Sequence, residues 1–194
     1  MKLASYTFSI RKDAMSRRIY PTLRLGIFAF IISIGANLSA KTISDTISVY
    51  IFLHEDCVIS QYYTLPLKEL HNQYGNDSIQ FVGLFPNFSS KKENIQAFKE
   101  KYGLPFPLKT DYFKTKTILF DAEVTPEVVV YNENKKAILY QGRIDNTYFR
   151  VGKKRTITTT SELADALEAI VTHQPISVKK TQPIGCFINK NDAP

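Results

Sequence analysis

The sequence predicts an α/β fold, a mixed central sheet flanked by helices. Short β-branched and aromatic runs alternate with segments of helical apolar spacing, as strand–helix crossovers require. The last two strand-like runs instead follow each other across a polar turn, so antiparallel strands close the sheet.

The first core strand is read over Thr46 to Leu53, whose last five residues are almost continuously apolar, as in a strand buried on both faces. His54-Glu55-Asp56-Cys57 follows, then Tyr62, Leu65, Leu67, Leu70 and Tyr74 at roughly helical spacing up to Gly75, with Pro66 expected to kink the helix. Ser78 to Phe85 is a second buried strand. Asn87-Phe88-Ser89-Ser90 offers cap residues for a helix that carries Ile95, Phe98 and Tyr102 and stops at Gly103. Phe106-Pro107-Leu108 is extended, and a helix is expected over Tyr112 to Phe120. Val124-Thr125-Pro126 then leads into an apolar strand, Glu127 to Tyr131. The turn Asn132-Glu133-Asn134-Lys135 returns the chain along Ala137 to Gln141 as a hairpin. Ser161 is the expected cap of a last helix with Leu163, Ala166, Leu167 and Ile170, which Pro175 ends. Residues 175–194 form a loop-like tail that carries Cys186.

Residues 1–40 read as a secretory signal rather than as part of this fold. Six basic residues precede the apolar run Leu25 to Ala36, and small residues follow at Asn37-Leu38-Ser39-Ala40. That run is shorter than the roughly 20 residues of a spanning helix, so cleavage and export, to a periplasm or outside the cell, are expected rather than stable membrane insertion. Met15 would start a signal of more ordinary length. The leader holds six of the 25 basic residues and one of the 18 acidic ones, so most of the net charge of +7 belongs to it and the remainder carries +2. No basic face is left for a nucleic-acid partner. About 154 residues remain, enough for one core, and a single domain is expected over residues 41–174.

The order of elements is that of a thioredoxin fold, and four motifs make the likeness more specific. They are Asp56-Cys57-Val58-Ile59-Ser60, Thr125-Pro126-Glu127, Tyr140 to Asn146 with Tyr148, and Gly185-Cys186-Phe187-Ile188. In these the chain resembles the bacterial thioredoxin-like redoxins of the peroxiredoxin-like branch, over about residues 46 to 188. Val58 stands where such proteins often have proline. The resemblance implies that Thr125-Pro126 is a cis-proline turn beside the working cysteine, at a backbone edge that pairs with extended substrate peptides. It places the peroxidatic cysteine of true peroxiredoxins at Ser60, so peroxidase chemistry is not expected.

Cys57 opens a helix, where unpaired N–H groups and the positive end of the dipole stabilise a thiolate. Position 60 is Ser, so the resolving cysteine of a Cys-x-x-Cys motif is missing. Glu55 and Asp56 are expected to raise the thiol pKa if they lie close, and a protonated His54 to offset them. Cys186, 129 positions away, restores two-cysteine chemistry if the tail folds back over the helix start, either as a resolving thiol or as a structural disulfide. Arg143 and Asp145 could pair beside the site. Three functions follow: a thiol-disulfide oxidoreductase that works on protein thiols or disulfides or with an exported redox partner and needs no cofactor; a binding module that keeps the groove without the chemistry; or a copper carrier using His54 and Cys57 with His173 or Cys186.

Overall fold

The computed structural model describes residues 45–191. The expected signal, residues 1–40, lies outside them.

Strand β1 (Ile47–Phe52) is buried at every position and lies at the centre of a five-stranded sheet. Helix α1 (Val58–Tyr74) follows and runs on through Pro66. Strand β2 (Ile79–Phe85) pairs parallel with β1, and α2 (Lys92–Tyr102) crosses to β3 (Leu108–Thr110), parallel to β2. The short α3 (Thr115–Phe120) leads to β4 (Val124–Thr125), and past Pro126 the chain enters β5 (Glu127–Asn132), antiparallel to β1. Strand β6 (Ala137–Gly142) completes the hairpin, giving the sheet order β3-β2-β1-β5-β6. A small hairpin, β7 (Tyr148–Arg150) with β8 (Lys153–Lys154), precedes α4 (Glu162–Val171). The last strand, β9 (Cys186–Phe187), pairs antiparallel with β4.

Alternation along the central strands divides the core between two faces. Val49, Ile51, Val128 and Val130 meet Cys57, Ile59, Tyr63 and Leu67 of the α1 segment and Leu163 and Leu167 of α4. Tyr50, Phe52, Val129 and Tyr131 point the other way, to Phe120, Ala122 and Ile188. Ile188 thereby ties the tail into the core.

Several expectations are corrected locally. The helix expected from Tyr112 begins only at Thr115, because Lys114 has a φ of 52° and the Asp111 carboxylate accepts from the N–H groups of Lys116 (3.2 Å) and Thr117 (2.8 Å). Ser90 does not cap α2: Lys91 holds that position without a side-chain cap, and the Ser90 hydroxyl donates to Glu55 instead. Ser161 starts α4 but makes no cap bond. Arg143 pairs with Glu162, not Asp145, whose carboxylate accepts from the Tyr63 hydroxyl and the Thr147 N–H.

The tail is built onto the sheet rather than left loose. The Gln141 N–H donates to Lys179 O and the Thr181 N–H to Gln141 O, extending the sheet at the β6 edge. Gly142 has a φ of 144°, and a Cβ there would stand 2.2 Å from Thr181 Oγ1, so the absence of a side chain is what lets the tail approach.

Candidate functional site

Cys57 closes the turn after β1 and is the residue on which α1 begins, with its own N–H bonded to His54 O and its carbonyl accepting from Gln61 N. A helix start leaves N–H groups without intrahelical partners. The Ser60 N–H at this helix start favours negative charge on the sulfur. The thiol itself donates to Thr125 O at 3.1 Å. Thr125-Pro126 is a cis peptide, as the resemblance implied, and it places the Thr125 carbonyl over Cys57.

On its other side Thr125 pairs with Cys186, and the Ile188 N–H donates to Glu123 O at 2.8 Å. Gly185 makes this approach possible. A Cβ there would lie 2.2 Å from Thr125 O, closer than non-bonded atoms can stand, and in tight contact with Pro126 N at 3.1 Å. All three residues singled out from the sequence, Cys57, Pro126 and Cys186, therefore converge. Both cysteines are free thiols, and each lies close enough to shift the pKa of the other.

The two thiols are driven apart electrostatically. Burial raises the cost of a charge on Cys57, but hydrogen bonds from the Cys186 thiol, the Ser60 N–H, the Cys186 N–H and the Ser60 hydroxyl outweigh it and hold its pKa below the ordinary thiol value. Burial pushes Cys186 up, and its bond and proximity to Cys57 take it to about 12. The first sulfur to lose its proton is thus Cys57, with Cys186 as donor. The expected influence of Glu55 and Asp56 is not among the causes; the Glu55 carboxylate is engaged by the Ser90 hydroxyl, and Asp56 is exposed.

No family model matches the sequence, and no curated protein matches it either. Among solved structures, an uncharacterized conserved protein from Geobacillus kaustophilus superposes with a TM-score of 0.66 at 24% identity, over 78% of this chain and 80% of its own. A hypothetical protein from Sinorhizobium meliloti gives 0.64 at 20% identity, over 75% and 80%. A thioredoxin-like protein solved in solution in its oxidized form gives 0.50 at 12% identity, over 67% and 80%. The fold is thioredoxin-like.

Within this thioredoxin-like fold the ligands proposed for copper do not assemble. His173 lines a groove of about 960 Å³ with Ile47, Ile79 and Asn132, at the end of β1 opposite Cys57. Among the described residues, His54, Glu55 and Asp56 bring ligand atoms within 4.8 Å of one another, and neither cysteine belongs to that group. A soft-metal site needs the thiolates.

Sequence reasoning missed Ser60 as a donor, the Thr125 carbonyl as an acceptor and Gly185 as the residue that fits the tail to the cis-proline turn. It also missed an aromatic wall. Tyr62, Tyr63 and Tyr148 pack with ring centroids 5.2 to 6.0 Å apart, and burial, then Tyr62 and Cys57, raises the Tyr148 pKa. Only the glycine immediately before a cysteine was a usable signal.

Proposed function

We propose that this protein is an exported thiol-disulfide exchange protein, with Cys57 as nucleophile and Cys186 as its resolving partner. The observation that carries this reading is the convergence of two free thiols on Thr125 at the cis-Pro126 turn, Cys57 donating to its carbonyl and Cys186 pairing with it in β9, with the Cys57 pKa lowered and that of Cys186 raised. A Cys57 thiolate attacks a protein disulfide and forms a mixed disulfide. Cys186 then attacks the Cys57 sulfur, closing a Cys57–Cys186 disulfide and expelling the substrate thiol. A dithiol protein of the same compartment reverses the oxidation.

The motifs around Cys57 and Cys186 support placing it in the peroxiredoxin-like branch of the redoxins, and the pattern of residues 1–40 supports export. With Ser60 in the peroxidatic position, exchange is favoured over peroxide reduction. The rival reading, a binding module without chemistry, draws on the burial of Cys57, which is 2% exposed.

Incubation with a disulfide-bonded protein substrate separates the two. The native chain reduces it stoichiometrically, Cys57→Ser does not, and Cys186→Ser accumulates a mixed disulfide through Cys57. Failure of all three to exchange would leave the binding module.

A further inference from the structure

Cys57 is 2% exposed, although its neighbour Val58 is 72% exposed and Phe187, next to Cys186, is 85% exposed. A buried sulfur cannot meet a protein disulfide, whose attacked sulfur must approach in line with the bond that breaks. Something beside Cys57 has to move, and of its neighbours β9 is the most lightly held. The turn beneath Cys57 is fixed by the core, whereas β9 is a two-residue strand on the Thr125 edge. Upstream, the tail has a second and separate anchorage, where Thr181 bonds to Gln141 and Arg143 and shares a hydrogen bond with the Tyr140 hydroxyl. Pro183 is buried and Ile184 packs against the core, so the second anchorage reaches from Thr181 to Ile184 and ends just before Gly185. The β9 segment can therefore leave while the tail stays tethered.

We propose that β9 is the internal occupant of a docking edge for extended, cysteine-bearing protein segments, and that substrate and β9 alternate on Thr125. This deepens the exchange reading and rests on it. The segment that takes the place of β9 has a cysteine where Cys186 stands, beside Cys57. Before it comes glycine, since any Cβ at that place meets the Thr125 carbonyl. One position after the cysteine is free, as the exposure of Phe187 shows, and the next is apolar, because Ile188 fills a pocket formed with Phe120 and Tyr131. The recognised pattern is glycine, cysteine, any residue, apolar residue.

Resolution and release then become one movement. Cys57 thiolate attacks the docked cysteine's sulfur, and that cysteine's former partner leaves as a thiolate. Once Cys57 is in the mixed disulfide it carries no charge, so the part of the upward shift on Cys186 that came from Cys57 is relieved. As β9 returns to Thr125 it displaces the substrate strand and brings Cys186 onto the Cys57 sulfur. The Cys57–Cys186 bond forms, the substrate cysteine leaves, and it takes up the proton that Cys186 gives. Two thiols of this chain are oxidised and one substrate disulfide is reduced.

The test uses the full chain with Cys186→Ser, so that Cys57 is the single thiol, and follows its alkylation by iodoacetamide per thiolate. Adding Gly185→Ala should accelerate alkylation about tenfold or more by freeing the covered sulfur. A peptide of residues 181–190 with serine for the cysteine should restore protection, and the same peptide with alanine for the glycine should not. Ile188→Ala is a second way to loosen β9 and should also accelerate alkylation. Unchanged alkylation in both variants would overturn the proposal, as would acceleration that the glycine peptide fails to reverse or that both peptides reverse equally. Alkylation reads the cover whether or not the cysteines exchange electrons, so this failure is distinct from failure of the exchange reading.

Discussion

The two sulfurs of the site are held in different ways. Cys57 stands on the framework: β1 is buried throughout, α1 buries Ile59, Tyr63 and Leu67 against it, and the turn between them leaves the sulfur no freedom of place. Cys186 sits on a strap, held by a two-residue pairing, one glycine that fits the Thr125-Pro126 turn and one isoleucine in the core. Thiol exchange needs such a division. A nucleophile fixed by the core keeps its place and its Ser60 donors, while a resolving thiol has to give way to substrate and return.

Substitutions that weaken each side should break this contrast in different ways. The largest effect is expected from Cys57→Ser, which should lower disulfide exchange by at least about a thousandfold, because an unactivated hydroxyl is a far weaker nucleophile. Circular dichroism should show an unchanged fold. Leu67→Ala removes a fully buried side chain under α1 and should cost about 2–5 kcal/mol in global denaturant stability. Ile188→Ala removes a comparable side chain from the strap, yet its global cost should fall at the low end of that range, at about 2 kcal/mol or less, because the segment can detach without unfolding the sheet. Hydrogen exchange should place its loss of protection at Thr125 and Ile188 and leave β1 and β5 protected.

The smallest effect concerns pH, and its sign follows from the two shifts. Cys57 has a pKa below its unfolded value, so its thiolate adds stability that is fully present above the ordinary thiol range, about 8.5, and is lost as pH falls through the lowered value. Cys186, raised to about 12, contributes the opposite: its share is present below the unfolded value and is lost as pH rises towards 12. Stability attributable to the pair should therefore peak near the ordinary thiol range. In Cys186→Ala the alkaline loss should shrink to the part that the raised Tyr63 and Tyr140 contribute, and thiolate absorbance should place Cys57 closer to an unperturbed thiol. An identical Cys57 titration in that variant would mean that Ser60 and the backbone N–H of residue 186 lower its pKa without the Cys186 thiol.

Much of the framework was legible because it is written in periodicity. The buried run before His54, the helical spacing after Cys57 and the hairpin about Asn132 to Lys135 each appear where local pattern put them. Thr125-Pro126 was legible through resemblance, since the dipeptide alone says nothing of a cis bond. The strap was not. Its two-residue strand has no period to read, and its register is set by contacts 61 positions apart, between Thr125 and Cys186. Charged neighbours misled for the same reason: Glu55 lies two residues from Cys57, but Ser90, 35 positions away, decides where its carboxylate goes. Arg143 likewise found Glu162 rather than the nearby Asp145.

The joint work of Cys57 and Cys186 is tested most directly by equilibrating the full chain in glutathione buffers of graded potential, quenching with an alkylating agent and measuring intact mass. A single two-electron transition is predicted, in which both alkylation sites disappear together with the loss of two hydrogens, and fragmentation locates the bond between Cys57 and Cys186. Two sites that remain alkylated under oxidising conditions, or that acquire glutathione independently, would contradict the account.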